Sequence, residues 1–115
     1  MIRNDRLVHD FLNGLVVGNI GNEHIKIRCH GTKFYSYNRL IAQFIINNRG
    51  RIVLIVHCPD NSKGIESHYS LLITEAIEIH DKSRRFPIME CQDERFHDDY
   101  RKLYETNKDK FNRIA

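Results

Sequence analysis

The chain has 115 residues, of which 41% are hydrophobic and 29% charged, with a formal net charge of +3. That length supplies one hydrophobic core rather than two, and the composition excludes the low-hydrophobicity, high-charge signature of disorder, so the expectation is a single α+β domain over residues 1–115. No apolar run approaches a bilayer span, Met1 to Arg6 lead into no apolar signal segment, and Cys29, Cys58 and Cys91 suit neither a disulfide framework nor a paired-knuckle zinc site; the reading is a host cytoplasmic protein outside the membrane.

Asn4 caps a short helix in which Leu7, Val8, Phe11 and Leu12 recur at helical spacing, and Asn13-Gly14 stops it. Leu15-Val16-Val17 then opens a hairpin through the turn formers Gly18 to Asn22. Its second strand alternates Ile25, Ile27 and Cys29 with outward Lys26, Arg28 and His30. Phe34-Tyr35-Ser36-Tyr37 follows the Gly31-Thr32 turn as a third strand. Leu40 to Ile46 and Ile52 to His57 are apolar runs joined by Asn47-Asn48-Arg49-Gly50, the strongest hairpin signal in the chain, although the spacing also admits a helix from Arg39 to Ile46. The second run is apolar on both faces, as an inner strand requires.

Pro59 to Gly64 is the clearest loop, and it leads into a helix with Ser67 as N-cap and Tyr69, Leu72, Ile73, Ala76, Ile77 and His80 along one stripe. Phe86 to Cys91 reads as an edge strand that tolerates Pro87. From about Gln92 a long charged helix carries Phe96, Tyr100, Leu103, Tyr104 and Phe111, with acids at its start and bases at its end in accord with the helix dipole. The expected architecture is therefore an antiparallel sheet of four to five strands, with an N-terminal, a central and a C-terminal helix. The last helix either docks on the sheet or offers its aromatic stripe to a partner, in which case a homodimer is credible.

Seven histidines invite a chemical reading. His57, Cys58 and His68 flank the Pro59 to Gly64 loop and, with Asp60, could converge on an ion or substrate group in a small hydrolase or nuclease. No HExxH, HxxxH or CxxC is present, Ser67 and Ser70 beside His68 lack an orienting third residue, and the glycines match no phosphate-binding loop. No metal, cofactor or catalytic residue is assigned on this basis.

Binding residues stand out more clearly. Lys82, Arg84 and Arg85 form the densest basic cluster and adjoin Phe86, a composition enriched in interface hot spots. Tyr35 and Tyr37, interleaved with Lys33 and Arg39, form a second patch and resemble a stacking surface flanked by phosphate-neutralising groups. Up to Ile45 the chain holds six basic residues against three acidic ones, while the remainder balances; this mild excess admits a nucleic-acid partner without the dense patch of a dedicated binder.

Gly18-Asn19, Phe34-Tyr35-Ser36-Tyr37, Ile41-Ala42, Ile52 to Val56 and Ser67-His68 follow one another in an order that resembles a class of small phage-encoded domains of unknown function. The likeness covers about half of the chain, and Ser67-His68-Tyr69 stands where that pattern has Thr-Thr and then His. It implies a phage or mobile-element origin and transfers no catalytic residue. The expected function is a non-enzymatic protein that inhibits or modulates a host protein machine or nucleoprotein complex, as an anti-CRISPR or other anti-defence inhibitor does. A nucleic-acid-binding regulator is the alternative.

Overall fold

Helix α1, Asn4–Leu12, buries Leu7, Val8, Phe11 and Leu12 on one face and braces the other with an Arg6–Asp10 ion pair one turn apart. It ends as its sequence dictates. Gly14 takes a φ of 70°, its amide bonds the Phe11 carbonyl, and the Leu15 amide reaches back to Asp10, which together form a Schellman cap. The structure, a computed structural model, describes residues 4–15, 19–22, 27–59, 63–83, 85–91 and 111–115.

The strands are β1 (Asn19–Asn22), β2 (Ile27–His30), β3 (Lys33–Ser36), β4 (Arg39–Ile46), β5 (Ile52–Val56), β6 (Ile88–Cys91) and β7 (Phe111–Arg113), with helix α2 (Lys63–Ser83) between β5 and β6. Among the described residues these seven strands form one sheet in the order of the chain. All neighbours are antiparallel except β5 and β6, which run parallel. The expected all-antiparallel sheet of four to five strands is thus corrected to a mixed one of seven. The physical reason is α2, whose 21 residues carry the chain back across the sheet before β6 begins.

The other departures have equally local causes. A strand lies at Asn19–Asn22, inside the run read as turn formers, where backbone pairing with β2 overrides the turn preference of Gly and Asn; Leu15 is exposed, and Val16 and Val17 lie outside the described residues. The segment from Arg39 to Ile46 is a strand, not a helix. Ile41 is an extra residue where β3 and β4 shift register between Phe34 and Tyr35, so that both Ile41 and Ala42 join the helix-side core. Strand β3 stops at Ser36 because Tyr37 and Asn38 reverse the chain with φ of 49° and 64°. Helix α2 starts before Ser67, which therefore lies inside it and does not cap it. Strand β6 is no edge, since β7 pairs outside it. The expected C-terminal helix lies outside the described residues up to position 110; Phe111 and Arg113 belong to β7.

Core residues divide between the two faces of the sheet. Under α1 and α2 lie Ile27, Phe34, Ile41, Leu54, Val56 and Ile88, packed with Phe11, Leu72 and Ala76. Leu40, Ile45, Val53, Ile55, Cys91 and Phe111 form a smaller cluster on the opposite face. Strand β5 lies between β4 and β6 and contributes to both, as its unbroken apolar run implies. No described helix is long and apolar enough to cross a membrane.

Candidate functional site

Two ends of the sheet carry chemistry, and the turns position both. At one end, the β4–β5 hairpin closes through Asn47, whose side-chain Oδ1 accepts hydrogen bonds from the amides of Arg49 (2.9 Å) and Arg51 (3.0 Å). Gly50 supplies the φ of 74° that the return needs. This turn holds Ile46 and Ile52 opposite one another in register, and both remain about half exposed, at 55% and 49%. Exposed β-branched residues in a cross-strand pair are unusual enough to mark a surface of interest.

Ile46 and Ile52 form one wall of a recess of about 320 Å³, completed by Leu12, Phe44, Phe86 and Arg85. Its aromatic floor continues into the core: Phe86 packs edge-on against Phe44 (5.1 Å between centroids), Phe44 against Phe11 (5.2 Å) and Phe11 against Phe34 (5.2 Å). At the rim, Arg85 donates from Nη2 to the Asn13 side-chain oxygen and from Nε to Ser83 Oγ (3.2 Å), while Ser83 Oγ donates to the Ile79 carbonyl (2.8 Å). The guanidinium is held in place before any partner arrives. An apolar cavity of this size with one fixed cation can seat a single large side chain or small apolar group.

The sequence-derived binding residues separate on this frame. Arg85 is at the recess. Lys82 is exposed and ion-paired with Glu78 one turn earlier (2.9 Å), which raises its pKa; Arg84 lies outside the described residues. Tyr35 and Tyr37, two residues apart, do not share a face. Tyr35 joins the cluster away from the helices with Arg28 over its ring, whereas Tyr37, past the strand end, stacks on His68 of α2. Arg39 is exposed at the start of β4, opposite Ser36.

At the other end of the sheet, His57 and His68 take different directions. The His57 Nδ1 lies 2.7 Å from the Cys91 carbonyl of β6. The His68 Nδ1 lies 2.6 Å from Ser36 Oγ of β3, a strand on the far side of β4 and β5. Asp60 falls outside the described residues, among which no cluster of three or more histidines, cysteines and acids is placed to hold a metal. The Ser36–His68 pair has the spacing of a nucleophile and its base, but Ser36 is 0% exposed and offers no atom to a substrate. Burial lowers the pKa of His68 by disfavouring its charged form. Tyr37 roofs this pair: its ring stacks on the imidazole at 5.4 Å and sits where a side chain on Gly64 would be, 2.6 Å from a notional Cβ.

Sequence reasoning missed three polar groups at this end. Ser36 is signalled only by its place two residues after Phe34, a polar residue on a core-facing position. Tyr69 donates a hydrogen bond to Glu90 Oε2 (3.0 Å), and burial together with that carboxylate raises its pKa. No spacing connects residues 69 and 90 before the parallel crossover is known.

No protein-family model matches this sequence, and no curated protein or solved structure matches it.

Proposed function

We propose that this chain is a non-enzymatic binding protein of phage or mobile-element origin that occludes a surface of a host protein machine. The origin rests on the sequence resemblance, and an anti-CRISPR or other anti-defence inhibitor is the corresponding class. The observation that carries the binding reading is the recess: an exposed isoleucine pair, an aromatic floor and a pre-positioned Arg85 at one end of the sheet. Anchors of this composition dominate interface energetics, because a buried apolar plug beside a fixed arginine gains from dehydration without ordering costs. The matching partner surface projects an aliphatic or aromatic side chain next to a carboxylate. The buried Ser36–His68 pair then belongs to the scaffold that holds α2 on the sheet.

The test is capture of a host partner by native protein and by a variant carrying Ile46→Asp and Ile52→Asp, followed by light scattering of the purified pair. A 1:1 complex that survives nuclease and is lost in the variant supports the proposal. A partner captured equally by both removes the recess from the interface, and saturating turnover of any substrate by the pure protein overturns the non-enzymatic reading.

A further inference from the structure

The face of the sheet turned away from α1 and α2 carries a second surface, independent of the recess. Ile27, Cys29 and Phe34 are buried beneath the helices, so alternation along β2 and β3 sends Arg28, His30, Lys33 and Tyr35 to the opposite side. Antiparallel register sets Arg28 directly across from Tyr35 and His30 across from Lys33. The four side chains therefore form two adjacent pairs, roughly 6.8 Å apart along the strands. Within the first pair, the Arg28 guanidinium carbon lies 4.2 Å from the centroid of the Tyr35 ring. Glu90 is the one acidic residue in the seven strands, and it is hydrogen-bonded to Tyr69 on the helix side. Among the described strands no carboxylate shares the face of Arg28 and Lys33.

We propose that this end of the β2–β3 face binds single-stranded nucleic acid. A guanidinium braced on an aromatic ring presents a flat, weakly hydrated cation, on whose outer plane an unpaired base can stack. Lys33, one pair further along, supplies a flexible charge to a phosphate, and exposed His30 lies beside it. The planar platform selects a single strand over a duplex, because bases stacked within a helix present no free face. It selects nucleic acid over an acidic protein as well, since a carboxylate pairs with the N–H edge of the Arg28 guanidinium and leaves its outer face unused. The site goes beyond the recess proposal and shares none of its residues.

Fluorescence anisotropy with a labelled mixed-sequence single-stranded oligonucleotide tests it. Two phosphates neutralised by Arg28 and Lys33 give a slope of log K against log salt of about −1.4, at about −0.7 each. Lys33→Ala halves that slope. Arg28→Lys retains the slope but weakens binding on the order of tenfold, because the stacking plane is lost while the charge remains. Arg6→Ala, which removes the same charge from the helix side, changes neither. No saturable binding at low salt, an Arg28→Lys protein as tight as native, or displacement of the oligonucleotide by polyglutamate at equal charge each overturns the proposal. None of these results bears on partner capture through Ile46 and Ile52.

Discussion

Substituting Ser36→Ala tests the assignment of the Ser36–His68 pair to the scaffold. The serine is fully buried and its hydroxyl lies 2.6 Å from His68 Nδ1. Alanine nearly preserves the packing, so the change isolates the loss of one hydrogen bond and leaves a buried ring nitrogen without that partner. Such an orphaned group costs about 1–3 kcal/mol. The imidazole has little room to recover the loss by turning, since Tyr37 stacks on it and Gly64 lies against the Tyr37 ring. For a domain of this size, each kcal/mol moves the thermal midpoint by roughly 4 °C. Urea titrations of both proteins at pH 7.5 give the difference directly, provided the m-values agree. A shift below about 0.5 kcal/mol, the scatter of exposed substitutions, refutes the reasoning.

Three further outcomes are expected. Burial lowers the His68 pKa from 6.5, so the folded state disfavours its protonation; this contribution is intact above about pH 6.5 and is lost as pH falls through the folded value, and a His68→Gln variant measured by urea midpoints between pH 7.5 and 5 should show a flatter pH dependence. Gly64→Ala should displace the Tyr37 ring from His68, visible as altered His68 ring proton shifts, because that ring occupies the space a Cβ at position 64 would take. Thiol titration of native protein should reach Cys58 alone on the fast timescale and all three cysteines in guanidinium. Cys29 is buried with its pKa pushed up to about 12 and Cys91 is buried too, so fast native reaction of all three would contradict this packing.

Much of the local structure was legible because it rests on side-chain periodicity and on residues with special backbone preferences. Asn13-Gly14 ended α1 and Asn47 with Gly50 made the hairpin for the reasons their chemistry supplies. The unbroken apolar run of β5 correctly implied burial on two faces. What could not be read was pairing between distant segments. Nothing in Ile88 to Cys91 distinguishes a strand beside β5 from an edge strand, and a three-residue strand at Phe111–Arg113 is too short to show a period. Tyr37 was read into β3 because aromatic residues favour strands, whereas its φ of 49° turns the ring toward α2. The recess was legible only at Arg85 and Phe86; its other walls come from α1 and the β4–β5 hairpin, which the fold alone brings together.

The agreement between strand order and chain order governs how the molecule assembles. From β1 to β5 every partner strand is also the preceding segment of chain, so each pairing closes only a short loop. The β5–β6 pair differs, because it forms only across the span of α2. Pulse-labelled hydrogen exchange should protect β4 and β5 before β6. The step that commits the chain is then the docking of α2, and substitutions that weaken its seat at Leu72 or Ala76 should slow refolding, whereas changes in β7 should mainly speed unfolding.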